Sequence, residues 1–129
     1  MVNGEMYKSH AELPVYVDAF AAAMDVFQLS QAFPKAEMYS LTDQIRRSSR
    51  SVCANIAEAW RKRRSEAFFV STLNISEAEA AETQVWLQFA VECRYLDSLL
   101  ARPLYVKYDE ILAQLVHLIR NPEPWILIT

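Results

Sequence analysis

The stretch Tyr39–Arg64, YSLTDQIRRSSRSVCANIAEAWRKRR, decides the fold predicted for this chain. Apolar residues recur in it every three or four positions, at Leu41, Ile45, Val52, Ile56 and Trp60. This is the spacing of one face of an α-helix. We expect Ser40 to cap the start of the helix and Asp43 to complete a capping box. The stretch therefore predicts a long amphipathic helix with one face turned to a core.

Three further helices are predicted around this one. Prolines and capping residues place them at about residues 14–33, 65–96 and 103–120. Ser65 is the expected N-cap of the longest, and Pro103 is expected in the first turn of the last. Four helices with short loops predict an all-α chain, an up-down-up-down antiparallel four-helix bundle. We expect a single domain over residues 1–129, with a flexible leader at 1–12 and an apolar tail at 121–129 that folds back or docks on a neighbour.

The third predicted helix has more apolar surface than a bundle needs. One stripe contains Phe69, Leu73, Ala80, Leu87 and Ala90. A second, adjoining stripe contains Phe68, Ile75, Trp86, Phe89 and Cys93. Because a simple bundle buries one face of each helix, the second stripe predicts contact with another subunit. In the first helix, a single apolar face contains Leu13, Tyr16, Phe20, Met24 and Phe27.

Composition supports a helical fold and excludes several functional classes. The chain has 53% hydrophobic residues and one glycine, too few glycines for hairpin turns or a phosphate-binding loop. Its two histidines, His10 and His117, are not in metal-ligand or triad spacing, so we predict no metal, no cofactor and no enzymatic activity. Cys53 and Cys93 are expected to be buried thiols in a reducing cytoplasm. No signal peptide or membrane-spanning segment is predicted.

Positive charge is concentrated at the end of the deciding stretch. The chain has a net charge of −3, yet residues 46–64 contain seven basic residues and a single acidic one, Glu58. The candidate nucleic-acid-binding residues are Arg46, Arg50, Arg61, Lys62, Arg63 and Arg64. Basic residues at a helix C-terminus also complement the helix dipole, which accounts for one or two of these charges. The full run is suited to phosphate contacts.

Other polar and aromatic residues are assigned to structure or to an interface. They are Arg47, Asn55, Glu58, Glu82 and Trp86. Glu82 lies on the second stripe of the third helix, where a charge needs a partner. We expect that partner to be Arg47 or a basic residue of another subunit.

The segments LTDQIRR at residues 41–47, Ser51–Val52 and ANIAE at 54–58 resemble a conserved block of a bacterial protein family. These are the four-helix-bundle proteins encoded in intervening sequences of 23S ribosomal RNA genes, a family that includes the accessory protein of diversity-generating retroelements. The resemblance covers about residues 13–118. This chain has Ala59 where the family usually has glycine, and Ala78–Glu79 where it usually has Gly–Ser.

The resemblance implies a ring-like homopentamer with a basic surface, and for retroelement members it implies binding of a reverse transcriptase and nucleic acid. Together with the charge pattern, it predicts a non-enzymatic cytoplasmic oligomer that binds RNA, DNA or a nucleic-acid-processing protein. Two alternatives stay open. One is a pure assembly or adaptor module whose basic run meets acidic residues of a sister subunit. The other is an enzyme, such as a nuclease, whose catalytic residues the sequence does not reveal.

Overall fold

The computed structural model of the chain describes residues 6–127. Within that range, four α-helices follow one another: α1 at Pro14–Ser30, α2 at Leu41–Arg61, α3 at Glu66–Glu92 and α4 at Ser98–Arg120. α1 packs against α2 and α4, and α3 packs against the same two helices. The predicted all-α four-helix bundle is confirmed.

Side-chain caps explain where α3 and α4 begin. The Ser65 hydroxyl accepts a hydrogen bond from the backbone N–H of Phe68 at 3.2 Å, as predicted. α4 starts five residues earlier than predicted, because the Asp97 carboxylate accepts from the N–H of Leu99 at 2.8 Å. Pro103 consequently lies inside α4. The Leu99 carbonyl that loses its helical partner there belongs to a well-exposed residue and can bond to water.

The start of α2 differs from the predicted capping box. The Ser40 side chain makes no cap hydrogen bond; its hydroxyl donates to the carboxylate of Glu37. The same carboxylate accepts from the N–H of Leu41 at 3.3 Å, and its second oxygen accepts from the Tyr95 hydroxyl at 2.8 Å. The 3₁₀ turn Lys35–Glu37 brings this carboxylate to the helix N-terminus, where negative charge is favourable. Glu37 therefore caps α2 and ties it to the α3–α4 turn.

Glu37→Gln is expected to lower stability at neutral pH. Hydrogen bonds from Ser40, Tyr95 and Leu41 lower the pKa of Glu37 in the folded chain. A lowered folded pKa gives a contribution that is present above the unfolded pKa and is lost as the pH falls through the folded one. Urea midpoints measured from about pH 7 down to about pH 3 should therefore show a gap between wild type and variant that closes on acidification. A constant gap, or the same behaviour in the surface control Glu92→Gln, would contradict this assignment.

The face of α1 that packs on the core is not the face with its large apolar side chains. Its buried residues are Val15, Ala19, Ala22, Val26 and Ser30. Phe20 and Met24 are 50% and 45% exposed. Small inward residues let α1 approach the bundle closely, so the larger side chains lie outside. On α3, the first predicted stripe is buried, and Phe68, Ile75 and Phe89 of the second are exposed, as expected of a second face.

Buried hydroxyl groups link α2 to α3. The hydroxyls of Ser48 and Thr83 are 2.8 Å apart, and Ser76 donates to the carbonyl of Val52 at 2.9 Å. Both contacts lie in the interior, and Ala59 of α2 and Ala80 of α3 are also fully buried. Small residues of this kind allow close helix approach, and each hydroxyl finds a partner.

The described residues of the leader and of the tail pack on the bundle. Tyr7 stacks on Trp125 with a centroid distance of 6.0 Å, and the Trp125 and Trp60 rings meet edge to face with a centroid distance of 6.5 Å. The backbone N–H of Leu127 donates to the Arg63 carbonyl at 3.0 Å. The tail thus folds back, one of its two predicted positions, and the turn His10–Glu12 of the leader contacts α1 and α2. The flexibility of the leader stays a prediction. Residues 1–5 and 128–129 lie outside the described range.

Candidate nucleic-acid interface

Three arginines lie on the outer face of α2. Arg47, Arg50 and Arg61 are exposed, and at about 100° per residue they fall within one side of the helix. Arg47 forms a 3.8 Å ion pair with Asp43, one turn earlier. Such exposed pairs contribute little to stability, so the arginine remains available to a ligand.

The turn from α2 to α3 exposes two more cationic side chains of the predicted run, Lys62 and Arg64, which follow Arg61. We call Arg61, Lys62 and Arg64 the basic corner; all three are exposed. Lys62 lies 3.7 Å from Glu58, which gives that predicted structural residue a surface ion pair. The antiparallel order of the helices brings the end of α4, with exposed Arg120, to the same end of the bundle. Arg120 was not among the predicted binding residues, although α2 and α4 of an antiparallel four-helix bundle end on the same side.

Arg63 is a correction to the predicted basic surface. Its side chain is buried at 9% exposure, with its guanidinium carbon 3.4 Å from the centroid of the Trp60 ring. Its Nε donates to the Trp60 carbonyl at 2.7 Å, in the last turn of α2. Burial lowers the pKa of Arg63. Because the ordinary pKa of arginine is very high, the guanidinium nevertheless stays charged. Arg63 therefore closes the end of α2 and does not face a partner.

Arg46 is a second correction. It was predicted to bind nucleic acid, but it is half-buried and contacts α1. Its Nε donates to the Ser30 hydroxyl at 2.8 Å, and its guanidinium lies 5.0 Å from the Phe27 ring centroid. This arginine connects two helices, and its charge is only partly accessible.

The remaining predicted polar residues have local roles. Asn55 donates to the carbonyl of Ser51 at 2.9 Å, one turn back along α2. Glu82 is exposed and forms no ion pair within the described chain, so the expected pair with Arg47 is not made there. Trp86 is half-buried beside Phe89, with its indole N–H buried and unpaired among described residues.

The candidate reactive groups are separated from one another. The ring centroids of His10 and Tyr16 are 4.9 Å apart, whereas exposed His117 lies beside Asn121. Cys53 is buried as predicted, and burial raises the pKa of its thiol to about 11. Cys93 is exposed, contrary to prediction, because it follows the last turn of α3. Across residues 6–127, no cluster of three His, Cys, Asp or Glu side chains could bind a metal, and no helix is long and apolar enough to cross a membrane.

Comparison with known proteins supports the predicted family. The family described as 23S rRNA-intervening sequence protein matches residues 11–117, which include the whole of α1, α2 and α3. The chain is similar to a crystal structure of a protein with unknown function from the S23 ribosomal protein family of Bacteroides thetaiotaomicron. That similarity has a TM-score of 0.75 and 28% identity, and it covers 83% of this chain and 99% of the other. No curated protein matches the chain. The chain belongs to the 23S rRNA-intervening sequence protein family.

Proposed function

We propose that this chain is the repeating unit of a homo-oligomer that presents its basic corner to the phosphate backbone of RNA or DNA. The observation that carries the proposal is the joint exposure of Arg61, Lys62 and Arg64 at one end of the bundle, the end at which α4 also finishes with exposed Arg120. Cations grouped in this way displace condensed counterions from a nucleic acid, which gives salt-sensitive binding that does not depend on sequence. The proposed role is binding and assembly without catalysis.

The corner variant Arg61→Gln/Lys62→Gln/Arg64→Gln is expected to lose most of the affinity for structured RNA and duplex DNA. Each lost phosphate contact should reduce the slope of log affinity against log salt by about 0.9, so the slope should fall by about 2–3. Fluorescence anisotropy between about 50 and 200 mM salt would measure this effect. Light scattering should show an unchanged oligomeric mass. Arg63 is left in place because it is buried.

A matched control removes the same charge from the opposite end of the bundle. The control is Lys35→Gln/Arg94→Asn/Arg102→Gln; all three residues are exposed. Arg94 becomes asparagine because its φ is +64°, a conformation that asparagine tolerates. The control should keep both affinity and slope. Equal losses in the two variants would mean that net charge, and not the corner, governs binding, which would contradict the proposal.

A pure assembly module is the second candidate, favoured by the exposed apolar side chains on α1 and α3. In that case the basic corner meets acidic residues of a sister subunit. Wild type would then bind neither nucleic acid at low salt, and the corner variant would fall to a lower mass. A protein partner, such as the reverse transcriptase implied by the family resemblance, would become the next ligand to test.

A further inference from the structure

Two apolar surfaces of the bundle are exposed, one on α3 and one between α1 and α2. On α3, four exposed positions seven residues apart form what we call the α3 seam: Phe68, Ile75, Glu82 and Phe89. The residues between them, Ser71, Ala78 and Val85, complete an alternating spacing of three and four. That spacing is typical of a helix packed nearly parallel or antiparallel to another. The seam extends for about 32 Å at 1.5 Å per residue.

The other surface is a groove between α1 and α2. It has a volume of about 510 Å³, and the α1 side chains on its wall include Phe20, Met24 and Phe27. Its α2 side is formed by smaller residues, Cys53, Ala54 and Ala57. Large side chains on one wall and small ones on the other leave room for apolar side chains of a docking helix. We call this the α1–α2 groove.

Charge complementarity identifies what the groove accepts. Among the described residues that line it, Arg50 is the one with a charge. In the α3 seam, Glu82 is the one charged position between Ile75 and Phe89, and it forms no ion pair within the described chain. A carboxylate in an apolar seam requires a cation when the seam is covered. A groove with one arginine at its edge meets that requirement.

We propose that the α3 seam of one copy docks in the α1–α2 groove of a second copy, with Glu82 facing Arg50 across the interface. This inference rests on the self-assembly in the proposed function. The two surfaces differ, so the contact is heterologous: the first copy keeps a free groove and the second keeps a free seam, and further copies can add to both. Arg50 then serves assembly, while the basic corner remains for nucleic acid.

Two double variants test this pairing by complementation. The groove variant is Phe20→Glu/Met24→Glu, and the seam variant is Ile75→Glu/Phe89→Glu; all four positions are about half exposed. Each variant should be monomeric in light scattering. An equimolar mixture should form a complex of two chains of 14.9 kDa each, because one intact groove and one intact seam remain. Introducing glutamate on both surfaces avoids a new attraction between the damaged ones.

The control is Tyr39→Glu/Leu99→Glu, at residues that are 91% and 81% exposed and outside both surfaces. It should keep the wild-type mass. A monomeric wild type would contradict the proposal of self-assembly itself. If wild type assembles but the groove and seam variants keep its mass, or their mixture stays monomeric, self-assembly stands and this pairing is wrong.

A charge exchange tests the pairing without removing apolar side chains. Arg50→Glu and Glu82→Arg should each weaken self-association at least about tenfold, and the double exchange should restore it to within about threefold of wild type. Sedimentation over a concentration series would measure these constants. Additive losses in the double variant would show that the two residues do not meet, and would overturn the proposed contact.

Discussion

Arg63→Ala is expected to lower the free energy of unfolding by about 2–4 kcal/mol, although Arg63 looks like one more surface cation in the run RKRR. Its guanidinium lies 3.4 Å from the Trp60 ring centroid, and its Nε satisfies the Trp60 carbonyl at the end of α2. Alanine loses the stacking, this hydrogen bond and the packing of the alkyl chain. The carbonyl would be left without its side-chain donor beneath the tail.

The matched control is Arg61→Ala, two residues away and exposed, which should change the free energy of unfolding by less than about 0.5 kcal/mol. Arg63→Lys should fall between the two, because lysine keeps the charge but loses the planar stack and the Nε donor. Urea unfolding at a single protein concentration, followed by circular dichroism and tryptophan fluorescence, would measure all three. Equal stability of Arg63→Ala and Arg61→Ala would show that Arg63 is not a structural residue.

Tyr108→Phe is expected to raise the free energy of unfolding by about 1–2 kcal/mol, the reverse of the usual loss at a buried tyrosine. Tyr108 is fully buried, and its hydroxyl has no hydrogen-bond partner among the described residues. Burial raises the pKa of Tyr108, and nearby Cys53 and Asp25 add to the shift. Phenylalanine keeps the ring in the core and removes the unpaired polar atom.

The same substitution at Tyr95 is the control for Tyr108. The Tyr95 hydroxyl donates to Glu37 at 2.8 Å, so Tyr95→Phe should lower stability. Opposite signs for one chemical change at two sites would separate a paired from an unpaired hydroxyl. The urea midpoints of wild type and the two variants provide the measurement, as long as the dependence of the unfolding free energy on urea concentration is the same in all three. A loss of stability in Tyr108→Phe would instead indicate an ordered water bound to its hydroxyl.

The parts of the fold that the sequence predicted depend on strong local signals. α2 has one apolar face of large residues, and α3 has a serine cap, so their type and position follow from spacing and capping. The inward face of α1 was misjudged because its buried residues are mostly small, whereas Phe20 and Met24 are exposed. Side-chain size indicates burial only when the neighbouring helix leaves room for it.

The candidate site was predicted in outline and corrected in detail. Spacing cannot show that the chain turns after Arg61 and points Arg63 inward, because that direction depends on the loop and on Trp60. The contact of Arg46 with Ser30 joins residues sixteen apart on different helices, which periodicity within one helix does not reveal. The exposed cations of the corner, by contrast, follow directly from charge density at a helix end.

The buried hydroxyls between α2 and α3 determine how these two helices are aligned along their axes. A slip of one turn would shift α3 by about 5.4 Å and separate Ser48 from Thr83, and Ser76 from the Val52 carbonyl. The Ser76 hydroxyl would then lose its partner in an apolar interior, although Ser48 and Thr83 would keep their bonds to the Ile45 and Glu79 carbonyls of their own helices. A seam of leucines would lose no such bond and would tolerate several alignments. These contacts therefore favour one axial alignment of α3 against α2. They hold the α3 seam and the α2 wall of the groove at a constant height difference, so every copy added to an assembly would meet the last one at the same axial offset.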